Sequence, residues 1–205
     1  MVQVLGIVGS PRSGGNTSTL ITKALDAAAS VGAKTKLIEL ADLTIGICEG
    51  CYKCTELGYC VKEDDLHIIT AAIYESDGII FGAPGYFGSI PTLMKCMIGR
   101  IGRFVDFKGK VGGALAVGRR SGISMTLQEL QFFMYVKEMI VPGIPAWPTG
   151  FALNPGDVLG DTEAMSSAHY IGARVGQLAK ILKAHPVPWI KDTDEPGFGS
   201  TWRFE

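Results

Sequence analysis

Short apolar runs alternate along this chain with segments of helical period, and that alternation constrains the fold more than any other feature. Residues 2–9 are apolar almost throughout and close on Gly9, as a central parallel strand buried on both faces does. Residues 35–40, 78–82, 110–117 and 143–146 read as four further strands. Asn16 or Thr17 caps a first helix, in which Leu20, Ile21, Ala24, Leu25 and Ala28 share one face. Asp64 and Asp65 open a helix reaching Tyr74, and Pro91 suits the first turn of one reaching Ile101. Residues 124–139 and 162–184 are the last two helices. The pattern predicts one doubly wound parallel α/β sheet.

The 205 residues suffice for one such domain, here 1–185, followed by an extension, 186–205. Hydrophobic residues make up 47% of the chain, enough for a large core and too many for a disordered one. With 19 Lys and Arg against 20 Asp and Glu, the net charge of -1 offers no footprint for nucleic acid. No run reaches the roughly 18 apolar residues of a membrane helix, and the N-terminus reads as a strand rather than a signal peptide. These features predict a cytoplasmic protein with reduced thiols.

Ligands of doubly wound sheets sit at the carboxyl ends of the strands. Loops bearing glycine follow strands one, three and four, so all three should open on one edge. The first, Gly9 to Ser18, has Gly9 and Gly14 at Walker A spacing but Gly15 where the lysine would stand, which argues against a triphosphate. A helix N-terminus with hydroxyls and one arginine suits a monophosphate, held by Ser10, Arg12, Asn16, Thr17 and Ser18; the alternative is a turn and cap without ligand. In the second loop, Tyr86 and Phe87 between Gly85 and Gly88 either wall a flat polar ring or are core aromatics. Arg119, Arg120 and Gly122 lie in the third.

Cys48, Cys51, Cys54 and Cys60 fall within thirteen residues, with Gly58 allowing a turn before the last. Four thiolates so placed can ligate a 4Fe–4S centre. Zinc or plain thiols are the alternatives. Cys96 reads as a core thiol, and Lys95 and Arg100 as a solvated helix face. His67, His169 and His185 have no spacing that suggests a site.

The stretches GSPRSGGNTSTL from Gly9 and GAPGYFGSIPTLMK from Gly82, with the arginine-bearing third loop, resemble the flavodoxin-fold NADPH-dependent FMN reductase superfamily. The cysteine spacing is similar to that of its iron–sulfur flavoprotein branch. The resemblance implies strand order 2-1-3-4-5 and FMN. Its phosphate would lie on Ser10, Arg12, Asn16, Thr17 and Ser18, and its ring on Pro84, Tyr86, Phe87, Gly88 and Ser89. Arg119, Arg120 and Gly122 would form the third wall. It further implies a 4Fe–4S cluster on Cys48, Cys51, Cys54 and Cys60, and a homodimer or homotetramer. The redox partner would be ferredoxin or NAD(P)H, with a small-molecule acceptor or substrate. Two segments depart from similar proteins. Residues 120–125 replace an Arg-x-Gly-Gly-Gln-Glu, and Gly99-Arg100 replaces an Asp-Arg.

The expected function is an FMN-dependent oxidoreductase that couples cluster and flavin. Other readings are a cluster-free NAD(P)H-dependent FMN or quinone reductase, a pathway flavin dehydrogenase for a small cyclic acid, or a flavodoxin-like carrier. In the extension, Trp189, Phe198, Trp202 and Phe204 predict an ordered tail with buried aromatics, on its own domain or on a neighbouring subunit.

Overall fold

A computed structural model describes residues 1–189. Strands β1 (Gln3–Val8), β2 (Lys34–Glu39), β3 (Gly78–Pro84), β4 (Val111–Gly118) and β5 (Thr149–Phe151) form one all-parallel sheet in the order β2-β1-β3-β4-β5. The order reverses between β1 and β3, so a crevice opens beyond their carboxyl ends.

Side chains alternate across the strands, as the period of two requires. Leu5, Ile7, Ile79 and Phe81 point to one core, where they meet α3 (Leu66–Glu75), α4 (Thr92–Ile101) and α5 (Ile123–Val136). Val4, Val8 and Ile80 point to the other, covered by α1 (Asn16–Ser30) and α6 (Thr162–Ala184). Apolar pressure from both sides explains why β1 and β3 lack polar alternation. β2 lies at the sheet edge, and its Lys34 and Lys36 are exposed, which disfavours edge-to-edge pairing. No helix among the described residues is long and apolar enough to cross a membrane.

The fifth strand lies downstream of the expected 143–146. Pro145 interrupts that stretch, Pro142 and Pro148 flank it, and none of the three can donate to a ladder. The chain touches the sheet first at Ile140, whose N–H donates to the Lys110 carbonyl at 2.9 Å. It leaves for the proline segment and returns at Pro148, whose carbonyl accepts from Ala116 N–H at 3.1 Å. Asp161 then joins β5 to α6, accepting from Phe151 N–H at 2.9 Å and from Ala164 N–H at 3.0 Å. A one-turn helix, α2 (Lys53–Leu57), sits inside the cysteine segment, which the sequence pattern did not indicate.

Of the tail aromatics, Phe198, Trp202 and Phe204 lie outside the described residues. Trp189 lies against Gly109 and is 43% exposed in the single chain, so its own domain does not bury it.

Candidate functional site

The crevice at the β1–β3 switch is a cleft of about 270 Å³. Ser10, Arg12, Gly15, Asn16 and Thr17 line it from the first loop, Pro84, Gly85 and Tyr86 from the second, and Gly118 and Arg119 from the third. Ser10 folds its own loop, its hydroxyl accepting from Arg12 N–H at 3.0 Å. Gly15 is the N-cap of α1 and no side chain caps the helix. The N–H groups of Asn16, Thr17 and Ser18 therefore lack intrahelical acceptors beside Arg12. This is the electrostatic arrangement that receives an anion.

Two predicted phosphate residues are engaged elsewhere. Ser18 donates its hydroxyl to Glu39 at 2.5 Å, and Glu39 also accepts from Gly14 N–H at 3.0 Å, fixing the loop from the β2 side. Asn16 is the first helical residue rather than a cap. Its amide donates to the Asn154 carbonyl at 2.8 Å and accepts from Gly156 N–H at 2.9 Å. Asn16 thus holds the loop after β5, whose Ala152, Leu153 and Pro155 form a fourth wall of the cleft. The carboxylate of Asp157 in that loop is held below the ordinary range by the Asn154 and Leu153 amides.

The second loop is a two-residue hairpin. Tyr86 and Ser89 exchange both backbone bonds, at 2.9 and 3.0 Å, across Phe87 (φ 52) and Gly88 (φ 80). Both central residues are left-handed, as a type I′ turn requires. Tyr86 lines the cleft, while Phe87 stands fully exposed at the tip. Ser89 turns away and donates to Glu129 at 2.7 Å. Glu129 also accepts from Ile90 N–H at 3.0 Å and from Lys95 at 2.6 Å. Burial alone would raise the Glu129 pKa, but Lys95, Ser89 and the Ile90 amide outweigh it and hold the carboxyl below the ordinary range. Buried Thr126 donates to the Ser89 and Gly122 carbonyls, each at 3.1 Å, and so joins the second and third loops. Arg120 is exposed and, like Gly122, lies outside the cleft lining.

A second pocket, of about 180 Å³, collects all four clustered cysteines. Its wall also holds Lys62, Gly99, Arg100 and Arg103. All four thiols are free; Cys48 and Cys51 are exposed, Cys54 and Cys60 half-buried. Burial pushes the Cys54 thiol up, against a smaller pull from Arg103. Arg103 stacks on Tyr52, 4.5 Å from the ring centre, at the start of α2.

Arg100 is not on a solvated face. It is 2% exposed and forms an ion pair with Asp64, whose side chain is 5% exposed. Its guanidinium also donates to the Gly46 carbonyl at 3.2 Å and to the Cys60 sulfur at 3.3 Å. Asp64 accepts from Gly46 N–H at 2.8 Å and from Leu66 N–H at 3.2 Å. Burial opposes the charge of each partner, yet their pairing and these hydrogen bonds hold Arg100 above and Asp64 below their ordinary values. The helical period places Arg100 on the same buried side as Met97 and Ile101, so the local pattern conceals its role. Lys95, by contrast, is exposed and paired with Glu129.

The residues fit both groups that the resemblance implies. For a phosphate they offer an uncapped helix N-terminus, Ser10, Thr17 and Arg12. For an iron–sulfur cluster they offer four cysteine sulfurs lining one pocket, with Lys62, Arg100 and Arg103 in its wall to offset the charge of a cluster. Arg100 Nε is buried without an acceptor among the described residues. A buried unpaired donor costs about 1–3 kcal/mol, which a sulfur acceptor in this pocket would relieve. Among the described residues no three Cys, His, Asp or Glu side chains converge tightly enough to hold a single ion.

Residues 2–152 match the model of the NADPH-dependent FMN reductase family. The chain is 38% identical to an iron–sulfur flavoprotein of Methanocaldococcus jannaschii, over 89% of this chain and 100% of that protein. It is 31% identical to an iron–sulfur flavoprotein of Methanosarcina thermophila, over 89% of this chain and 97% of that one. Among solved structures it resembles RosB bound to 8-demethyl-8-formylriboflavin-5′-phosphate, with TM-score 0.74 and 18% identity over 91% of this chain and 82% of that one. An archaeal flavodoxin shares the fold at TM-score 0.59 and 14% identity, over 87% of this chain and 99% of that one.

Proposed function

Because the chain belongs to the NADPH-dependent FMN reductase family, among its iron–sulfur flavoproteins, we propose that it holds FMN and a 4Fe–4S cluster in separate pockets and couples them. It is a flavin-dependent oxidoreductase. The observation that carries the proposal is the shared pocket of Cys48, Cys51, Cys54 and Cys60, apart from the cleft.

When bound, a flavin takes one or two electrons and a cluster one at a time, so the pair can link hydride and single-electron chemistry. In the cleft, Arg12, Ser10, Thr17 and the first-turn amides of α1 hold the phosphate. Pro84 and Tyr86 flank the ring, with Phe87, Gly88 and Ser89 shaping the hairpin that carries them. Arg119 closes the third wall, with Arg120 and Gly122 behind it. Asn16 and Ser18 contribute through the frame they build. Their side-chain bonds to the Asn154 loop and to Glu39 keep the first loop in place. In the other pocket the four thiolates ligate the cluster, and Lys62, Arg100 and Arg103 offset its negative charge.

The donor in this reading is ferredoxin or NAD(P)H, and the acceptor a small molecule or redox protein. The protein works in the cytoplasm as a homodimer or homotetramer, without a nucleic acid partner. Anaerobic stopped-flow reduction tests the coupling. Ferredoxin should reduce the flavin of the wild-type protein and fail to do so in Cys54→Ser. Equal rates in the two proteins would leave the cysteines no part in the reaction and favour the cluster-free reductase.

A further inference from the structure

We propose that Arg100 is a positioning residue of the cysteine pocket: it fixes Cys60 and supplies the hydrogen bond and positive charge that raise the reduction potential of the cluster. This rests on the cluster reading above. Three geometric observations carry it. The Arg100 guanidinium donates to the Cys60 sulfur at 3.3 Å. Its second anchor is Asp64, and both side chains are almost wholly withdrawn from water, at 1% and 5% exposure. Its third is the Gly46 carbonyl, 3.2 Å away and two residues before Cys48. One side chain from α4 therefore holds the entrance and the last ligand of the cysteine segment together.

The placement has an electrostatic consequence. Four thiolates on a 4Fe–4S core give a net negative centre, and one-electron reduction adds a further negative charge. A buried cation that donates to a ligating sulfur favours the reduced state, and hydrogen bonds to sulfur act in the same direction. Asp64 offsets part of the charge but cannot replace the N–H donor. Asp64 also fixes the guanidinium so that its fork reaches both Gly46 and Cys60, geometry that a lysine ammonium does not reproduce.

The test is a potentiometric titration of the anaerobically purified full chain, read by electron paramagnetic resonance, with iron and FMN content measured alongside. Arg100→Gln should retain FMN and hold its cluster at a lower potential. The expected change is about tenfold in the one-electron reduction equilibrium, or about 59 mV. Arg100→Lys should fall between Gln and wild type. Loss of iron with FMN and melting temperature kept also supports the role, since Cys60 would then be misplaced.

A fully loaded Arg100→Gln protein within about threefold of wild type overturns the inference while leaving the cluster reading intact. A wild-type protein without iron overturns both. If Arg100→Gln does not fold, protein labelled with guanidino-¹⁵N arginine and carrying Arg103→Lys decides. A ¹⁵N coupling to the reduced cluster supports the role, and its absence overturns it.

Discussion

Gly88 and Gly122 meet backbone to backbone: a Cβ built on Gly122 would stand 2.9 Å from the Gly88 Cα and 3.0 Å from its nitrogen. Both residues have left-handed φ, at 80° and 79°. The contact seats the second loop on the N-terminus of α5, so the hairpin carrying Tyr86 and the third loop behave as one unit. Neither glycine lines the cleft, yet both determine where its walls stand.

Gly122→Ala should therefore destabilise the fold by about 1–3 kcal/mol, through left-handed strain and the backbone clash. Urea denaturation would read the loss. FMN affinity should fall with it, because Thr126 donates to the Gly122 and Ser89 carbonyls together. A variant with unchanged midpoint and affinity would show that the two loops move independently.

Arg12 makes no ion pair among the described residues and lines the cleft beside the uncapped end of α1. Arg12→Ala should weaken FMN binding by about 1.5–3 kcal/mol, as for a lost charged hydrogen bond. Fluorescence titration of the apoprotein would show the dissociation constant rise by roughly 10- to 150-fold. An unchanged constant would mean that the α1 amides carry the phosphate without it.

Glu129 gives a pH signature. Its folded pKa is depressed, so its contribution is fully present above the ordinary glutamate value of about 4.3 and is lost as pH falls through the folded value. Melting curves of wild type and Glu129→Gln should differ by a constant interval above about pH 5 and converge at lower pH. Curves that stay parallel down to pH 3 would show that the contacts to Ser89, Ile90 and Lys95 do not depend on the charge.

Cys54→Ser should lose or cripple the iron centre and keep FMN, since the two pockets share no lining residue. Iron, sulfide and flavin assays on one preparation check it. Full iron and sulfide in the variant would remove Cys54 from the ligand set.

The doubly wound sheet and the cleft were legible because apolar runs and glycine-bearing loops are local signals, and the doubly wound topology places the loops together; the strand order came with the family resemblance. β5 was misplaced because Thr149–Phe151 carries a central glycine and no β-branched run, while apolar residues between prolines mimic a strand. Glu39, Thr126 and Glu129 were not singled out, since each acts across a long sequence separation from an ordinary strand or helix position. A capping pattern at Asn16 hid its bonds to a loop some 140 residues away. Arg100 shows the same limit. A charged residue on a helix reads as solvated until tertiary packing supplies its partner, here Asp64.

The most direct test of the two-cofactor claim is the composition of the wild-type protein after anaerobic purification. That preparation should hold about four iron, four acid-labile sulfide and one FMN per chain, with the broad visible absorption of a cluster beneath the flavin bands. Stoichiometric zinc without iron, or a preparation that retains only FAD, would contradict the claim.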